Sequence, residues 1–183
     1  MMMPVAVIYH CYQTRGWEYL LGRQLCRIVN AGISAPIYVS TRSDENFTLN
    51  WMLEVVLPTL PDGALLYLHT KGIVHGGHTI DDWREMMEYF CIDRWPDAMT
   101  KLDEGFDAVG CDWESSEPGM WSHFAGNFWW ACTAHLRKLS PIIETDVRGH
   151  AEGLLNGHNT KGTSLHHSHV DHYREPYPRE RYR

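Results

Sequence analysis

Short apolar runs alternate along the chain with longer segments in which apolar residues recur three or four positions apart. "VAVIYH" at 5–10, "APIYVST" at 35–41 and "ALLYLHT" at 64–70 have the β-branched and aromatic content of buried strands. "FDAVGCDW" at 106–113 and "GNFWWACT" at 126–133 have the same character. The pattern therefore predicts five strands.

Helical spacing fills the segments between these strands. An apolar stripe over 17–29 predicts a first helix, and residues 49–60 predict a second one that stops before its proline. A longer stripe over 80–102 predicts a third helix that Pro96 kinks, and 134–140 predicts a short fourth helix.

Strands that alternate with helices indicate an α/β fold with a mostly parallel sheet and right-handed crossovers. Sheets of this kind bind ligands in the crevice beyond the carboxyl ends of their strands. Residues 69–71, 112–114 and 132–133 lie at such ends. From about Arg148 onward the pattern gives way to Gly, His, Asn and Ser, which predicts an irregular segment.

Composition narrows the class of protein. The chain has 183 residues, of which 44% are hydrophobic and 21% charged, as in a soluble globular protein with one core. A net charge of −7 argues against bulk attraction to nucleic acid. Five scattered cysteines without a CxxC spacing exclude a disulfide framework and favour a reducing compartment. Without a signal-peptide pattern or a membrane-span run, we expect a cytoplasmic protein, in the host cytoplasm if the chain is viral.

Polar residues stand at the carboxyl end of the third predicted strand. In "LLYLHTKGIVHGGH" at 65–78, His69, Thr70 and Lys71 directly follow the apolar run. Lys71 followed by Gly72 would offer a point charge and a close backbone to a phosphate oxygen, although the Walker pattern is absent. His69 can titrate, hydrogen-bond or ligate a metal. A surface turn with ordinary polar residues explains the spacing equally well.

The segment "HFAGNFWWA" at 123–131 combines a glycine, an amide and two indoles. Gly126 permits close approach to the backbone, and Asn127 offers both a donor and an acceptor. Beside Trp129 and Trp130, this combination suits sugar hydroxyls and the face of a pyranose, with one of the two indoles facing the crevice. The alternative is a buried aromatic strand.

Two further segments carry candidate chemistry. Glu152 lies among small and apolar residues in "RGHAEGLL", a setting for a general base, although a lone Glu is more often a surface charge. The segment "LHHSHVDHY" places four imidazoles and a carboxylate close together, and His167 and His169 would share one face of a strand. They form a metal site or a fortuitous His-rich tail.

The order of these motifs resembles a known family. "YLHTKG", a helix opening "WR", "VGC", "HFAGNFWWA…LRKL" and "RGHAEGLL" follow one another as in small bacterial and viral glycosyltransferase-like proteins related to the rhamnan synthesis F group. The resemblance spans residues 5–155 and implies a GT-A-type fold, a Rossmann-like sheet that binds a nucleotide-sugar donor. It divides the chain into a nucleotide-sugar-binding domain over 1–155 and an irregular His- and Arg-rich segment of the same domain over 156–183.

The resemblance also implies roles for the residues at the third strand. In the GT-A fold this strand usually ends in Asp-x-Asp, which holds a metal on the diphosphate, whereas here His69, Thr70 and Lys71 stand there. A fixed cation would then meet the leaving diphosphate directly. Gly72 belongs to the same phosphate contact, and Arg84 either holds phosphate or braces the site. A divalent metal, Mn²⁺ or Mg²⁺, is compatible but not required, with His167 and His169 as its candidate ligands.

By the same resemblance, Glu152 is the catalytic base of an inverting transfer and takes the proton of the acceptor hydroxyl. Asp112 and Glu114 are its rivals, because they also follow a strand. The residues that the resemblance assigns to the sugar and the acceptor are Asp112, His123, Gly126, Asn127, Trp129 and Trp130.

The resulting expectation is a glycosyltransferase that moves a sugar from a nucleotide-diphosphate sugar to a hydroxyl acceptor. The acceptor would be a glycan or, in a viral chain, a modified nucleic-acid base. Two alternatives remain: a non-catalytic nucleotide- or sugar-binding module of the same fold, and a metal-dependent hydrolase built on the His cluster. We further expect Asn127→Ala to leave the melting temperature unchanged, and residues 156–172 to become ordered only when donor binds.

Overall fold

The computed structural model describes residues 1–42, 44–73, 77–114, 122–143 and 151–183, without the side chains of 157 and 158. The chain has a mixed α/β architecture around one six-stranded, mostly parallel sheet. The strands are β1 (Pro4–His10), β2 (Ile37–Ser40), β3 (Ala64–His69), β4 (Ala108–Cys111), β5 (Trp113–Glu114), β6 (His123–Phe124), β7 (Trp129–Cys132) and β8 (Gly162–His166).

The helices cover both faces of this sheet. The α-helices are α1 (Trp17–Asn30), α2 (Glu45–Trp51), α3 (His78–Glu88), α4 (Trp95–Asp103) and α5 (Thr133–Leu136). Short π-helical segments span Met52–Val56 and Tyr89–Asp93, and 3₁₀ segments span Leu57–Thr59, Glu152–Asn159 and Arg179–Arg181. Among the described residues, no helix is both long enough and apolar enough to span a bilayer.

The strand order is β2-β1-β3-β7-β4-β8. β1 pairs in parallel with β2 and β3, and β4 pairs in parallel with β8, whereas β7 runs antiparallel to both β3 and β4. The predicted α/β class and mostly parallel sheet are confirmed. The reversed direction of β7 was not predicted, because a central strand buried on both faces has the same apolar pattern in either direction.

Alternate residues of the strands pack into two hydrophobic clusters. Leu66 and Trp130 face the cluster that contains residues of α1, α3 and α4, such as Ile28, Trp83 and Met99. The other cluster combines strand residues with residues of the helical segments packed against them. Ile8, Leu65, Tyr67 and Trp129 come from the strands, and Leu49, Met52, Leu136 and Leu154 come from the helical segments.

Two predicted helices have different boundaries in the structure. The second helix begins at Glu45, because the Asp44 side chain accepts a hydrogen bond from the Asn46 N–H (2.9 Å) and caps it. The predicted single helix over 80–102 is instead α3, a π-helical segment and α4. Pro96 lies in the first turn of α4, where its missing N–H costs nothing, so it opens a helix rather than kinking one.

The segment 156–183, predicted to be irregular, contributes a strand to the sheet. β8 pairs with β4 in the register Ala108↔Gly162, Val109↔Thr163 and Gly110↔Ser164. All its residues are only partly buried, as in an edge strand, and "GTSLH" lacks the apolar run that identified the other strands. The prediction of an irregular segment is therefore wrong for 162–166.

Gly162 provides a test of this strand. A Cβ built there would lie 2.4 Å from Cε2 of the Trp113 ring, so Gly162→Ala should lower the free energy of unfolding by about 1–3 kcal/mol. Gly22, an exposed helical residue with no atom within 4 Å of a built Cβ, is the control, and Gly22→Ala should raise stability by about 0.5–1 kcal/mol. Urea denaturation measures both, and an unchanged Gly162→Ala would contradict β8.

Candidate functional site

The carboxyl edge of the sheet brings together several of the residues singled out in the sequence. The chain passes from β1 to β2 on one side and then crosses back to β3 on the other side, so the strand order reverses beside β1, which is the place where open α/β sheets bind ligands. His10 and His69 are paired at the last position of β1 and β3. The turn before β7 reaches the same edge, where Nε2 of His69 lies 3.0 Å from the carbonyl oxygen of Gly126. Because a carbonyl only accepts, this nitrogen carries the proton.

Glu45, which the sequence did not suggest, lies at the centre of this edge. Its Oε1 accepts hydrogen bonds from Tyr67 Oη (2.8 Å) and Asn127 Nδ2 (2.8 Å). Nδ1 of His69 lies 3.8 Å from the same oxygen, and the Glu45 side chain is 25% exposed. Its helix was predicted to begin four residues later, so no sequence signal placed Glu45 near β3 or β7.

Two nearby imidazoles and two hydrogen bonds favour the ionised form of the Glu45 carboxylate. Burial by itself raises the pKa of Glu45, but nearby His69 and His10 and the hydrogen bonds from Tyr67 and Asn127 together lower it below its usual value. The crevice therefore contains a fixed negative charge at neutral pH.

His10 is a neutral neighbour of this charge. Thr48 donates its only hydroxyl proton to Ser40 Oγ (2.7 Å), so its oxygen accepts from Nδ1 of His10 (2.8 Å). Burial lowers the pKa of His10 to about 4, and the field of Glu45 opposes this shift only in part. His10 therefore stays uncharged under physiological conditions.

The three residues predicted to meet phosphate point in different directions. His69 faces Glu45, whereas Thr70 is buried and its Oγ1 accepts from the Tyr12 N–H (2.9 Å), tying the loops after β1 and β3 together. The ammonium of Lys71 lies 4.3 Å from the centroid of the Trp83 ring, in a cation–π contact. Thr70 therefore fixes the backbone of the loop after β1, and Lys71 is the cationic residue of the three.

Lys71 is close enough to two carboxylates for their charges to interact. Burial lowers the pKa of Lys71, while Glu152 and Glu45 act in the opposite direction. Glu152 is half-buried at the start of its 3₁₀ segment, whereas residues 148–150 of the motif lie outside the described part of the chain. A predicted cation thus lies near both a predicted carboxylate and Glu45.

Gly72 and Arg84 support the Lys71 loop. Gly72 has a φ of 75°, and a Cβ there would overlap Cγ2 of Ile80 at 1.9 Å. Arg84 is buried, donates from Nη1 to the Lys71 carbonyl oxygen (3.0 Å) and pairs with Asp81. Of its two predicted roles, the contacts favour bracing over phosphate binding.

Neither indole of the Trp129–Trp130 pair can serve as a sugar platform. Trp129 is 1% exposed and stacks on Tyr67 with ring centroids 5.0 Å apart. Trp130 is fully buried on the opposite face and donates to the Cys91 carbonyl oxygen (2.7 Å). The two side chains alternate as predicted, but helices cover both faces of the sheet. The expectation that one indole faces the crevice is wrong.

Asn127 positions other groups, and both polar atoms of its buried amide are engaged within the protein. It is 2% exposed, its Nδ2 donates to Glu45, and its Oδ1 accepts from Nε1 of Trp129 (2.8 Å). Its φ of 57° is one that Asn tolerates better than most residues. At Gly126 a Cβ would lie 2.5 Å from Sδ of Met87, so close packing requires that glycine.

Asp112 anchors the C-terminal segment. Its carboxylate accepts from the backbone N–H (2.6 Å) and Oγ (3.0 Å) of Ser168, and Nε2 of His172 lies 3.5 Å away. Burial raises the pKa of Asp112, but the hydrogen bonds from His172 and Ser168 lower it overall. The ring of His172 also stacks on Trp83 at 4.9 Å. Because these contacts engage both oxygens of its carboxylate, Asp112 is neither a contact for the sugar nor a rival to Glu152 as the base.

His123 and the two candidate metal ligands make contacts of their own. Nε2 of His123, on the β5–β6 ribbon, is 3.9 Å from Oε2 of Glu114. His167 and His169 are exposed and stack on each other with centroids 5.5 Å apart. Across the described ranges, no three His, Cys, Asp or Glu side chains converge as a metal site would require. These two histidines therefore have no ligand set there, and we derive no step through a metal.

Comparisons of the chain with models of protein families, with curated proteins and with solved structures each found no match.

The contacts of Asn127 reverse an earlier expectation. Asn127→Ala should lower the free energy of unfolding by about 2 kcal/mol, because it leaves the buried Trp129 N–H without an acceptor and removes a donor from Glu45. Exposed Asn30→Ala is the control and should change stability by less than about 0.5 kcal/mol. Equal unfolding midpoints for the two variants in urea would show that Asn127 is not a structural link.

Proposed function

We propose that the chain is a glycosyltransferase that moves a sugar from a nucleotide-diphosphate sugar to a hydroxyl acceptor on a glycan or, if the chain is viral, on a modified nucleic-acid base. The observation that supports this most is the grouping of Lys71, Glu152 and Glu45 at the switch point of a mostly parallel sheet. The resemblance of the motif order to the rhamnan synthesis F group points to the same class of reaction.

Lys71 has the position and chemistry to meet the diphosphate. Negative charge builds up on the leaving group as the sugar–phosphate bond breaks, and a fixed cation in a partly desolvated site stabilises it. Burial lowers the pKa of Lys71, and an adjacent diphosphate would favour its charged form. The Trp83 ring holds the ammonium near this position before the donor arrives.

Glu152 is the carboxylate to which we assign the base. A hydroxyl is a poor nucleophile at neutral pH, so a positioned group has to accept its proton during attack on the anomeric carbon. Glu45 is a poorer candidate because its pKa is lowered, and the carboxylate of Asp112 is occupied by Ser168 and His172.

A non-catalytic nucleotide- or sugar-binding module is the second candidate. It is favoured by the end of β3, which carries His69, Thr70 and Lys71 where a metal-binding carboxylate pair would be expected. Incubating the protein with a panel of nucleotide-sugars separates the two functions. Release of nucleoside diphosphate indicates a transferase or a slow hydrolytic side reaction of one, whereas binding without release indicates the module.

The charge of Lys71 can be tested with a variant that keeps its aliphatic stem. Lys71→Met should weaken nucleoside-diphosphate binding by about 1–3 kcal/mol, the range for losing a charge-assisted contact. Because Lys71 takes the place of a metal, wild-type binding should survive EDTA at least in part. The control is Lys161→Met, since Nζ of Lys161 lies 4.5 Å above the Phe106 ring in a similar cation–π contact. If calorimetry gives both variants the wild-type affinity for nucleoside diphosphate, Lys71 does not have this role.

The role of Glu152 is tested by an isosteric change. Glu152→Gln keeps the size of the side chain but cannot take up the proton, so turnover should fall by roughly 10²- to 10⁴-fold while donor affinity stays within a factor of a few. Glu104→Gln, at an exposed position after α4, should leave both unchanged. Near wild-type transfer by Glu152→Gln would place the base elsewhere, and loss of donor binding would make Glu152 a ligand-holding residue.

A further inference from the structure

The two oxygens of Glu45 have different surroundings. Both hydrogen bonds of the carboxylate, from Tyr67 and Asn127, and the approach of His69 involve Oε1. Within the described residues no hydrogen bond or ion pair involves Oε2, and a quarter of the side chain is exposed to solvent. One oxygen is therefore anchored, and the other is available to a ligand.

Glu88 shows how this chain satisfies a purely structural carboxylate. It is fully buried, and both its oxygens are used: Oε1 accepts from Arg23 (2.8 Å) and Gln24 (2.7 Å), and Oε2 accepts from Arg27 (2.6 Å). An ionised carboxylate is an acceptor with room for several donors. Glu45 departs from this pattern because, among the described residues, its second oxygen has no protein donor.

The groups that hold Glu45 are themselves rigid. Tyr67 is fully buried and stacks on Trp129, and Nε1 of Trp129 donates to Asn127, which fixes the orientation of the amide that donates to Glu45. A carboxylate held this way loses little further freedom when a ligand binds, so each new hydrogen bond contributes more to affinity.

We propose that Oε2 of Glu45 is the sugar-recognition point of this crevice and accepts hydrogen bonds from two adjacent hydroxyl groups of the donor's sugar. The inference rests on the proposed function, since it names the part of the nucleotide-sugar that Glu45 contacts. The oxygen has two lone-pair sites, which match two hydroxyl donors.

The surrounding charges favour a hydroxyl ligand over a cationic one. Lys71 is within range of Glu45, so an ammonium ligand would meet a positive neighbour. A metal ion would need more carboxylate or imidazole ligands than the described residues bring together. A neutral donor such as a hydroxyl avoids both costs. The lowered pKa of Glu45 keeps it ionised and therefore a strong acceptor.

Glu45→Gln is the decisive variant because the amide keeps an oxygen for Tyr67 and Asn127 but replaces Oε2 by a donor. Calorimetry on the full chain would use UDP-glucose, UDP-N-acetylglucosamine, GDP-mannose and dTDP-rhamnose, each beside its nucleoside diphosphate, and free glucose, mannose and rhamnose. We expect affinity for the bound nucleotide-sugar to fall about 10- to 100-fold and affinity for the nucleoside diphosphate to stay within threefold. The control is Glu54→Gln, an exposed position on the following π-helical segment, which should change neither.

Deoxygenated donors give a second measurement. A donor analogue that lacks one of the two hydroxyls should bind wild type about 10-fold more weakly, and Glu45→Gln should bind the analogue and the parent nucleotide-sugar alike. If Glu45→Gln unfolds, Tyr67→Phe replaces it. This variant keeps the carboxylate but removes one anchor, and it should lower nucleotide-sugar affinity selectively while leaving nucleoside-diphosphate affinity intact.

The outcomes separate this inference from the proposed function. Wild-type sugar affinity in Glu45→Gln, or an equal loss for nucleoside diphosphate and nucleotide-sugar, overturns the role of Glu45. Failure of wild type to bind any probe overturns it too. Glu45-dependent binding of a free sugar without any nucleotide binding would support the sugar site and reject the glycosyltransferase.

Discussion

The hydrogen bonds to Glu45 join three parts of the chain that are far apart in sequence. Tyr67 lies 22 residues and Asn127 82 residues from Glu45. A charged group taken partly out of water is costly unless donors compensate it, so the start of α2, the end of β3 and the turn before β7 are held in one arrangement. The arrangement of this edge of the sheet therefore depends on the Glu45 carboxylate.

The antiparallel β7 makes this arrangement possible. A parallel strand between β3 and β4 would begin at the amino edge of the sheet, away from the other strand ends. Because β7 runs in the opposite direction, the turn that precedes it, with Gly126 and Asn127, lies at the carboxyl edge beside His69. One reversed strand thus places an amide and a carbonyl at the edge where the parallel strands end.

The sequence predicted the parts of the fold that depend on local pattern. Strands occur within all five predicted apolar runs, because burial on both faces requires such runs in β1, β3, β4 and β7, and the edge strand β2 is apolar as well. β8 was missed because an edge strand needs no apolar run, and the direction of β7 was missed because direction is set by partners. In the candidate site, Lys71 and Glu152 were singled out from residue type and setting, whereas Glu45 was not. Its importance arises from contacts with Tyr67 and Asn127, which no spacing along the chain encodes.

Several residues chosen for contact with a ligand instead hold other residues in place. Thr70, Arg84 and Asn127 have the donors and acceptors that a binding site needs, but their partners are protein groups. Polar residue types near a strand end are therefore a sound guide to the location of a crevice and a poor guide to which side chains face it. Burial decides between the two roles, since a buried polar atom has to be paired within the protein.

The C-terminal segment is coupled to the cation of the site through Trp83. The Lys71 ammonium contacts the Trp83 ring, and the ring of His172 stacks on that same side chain at an interplanar angle of 6°. His172 is in turn fixed by Ser168 and Asp112 at the end of β4. Because one rigid indole contacts both groups, a shift of His172 would move the surface on which Lys71 rests. The position of the cation therefore depends on β4 as well as on β3, although the two strands are separated in the sheet by β7.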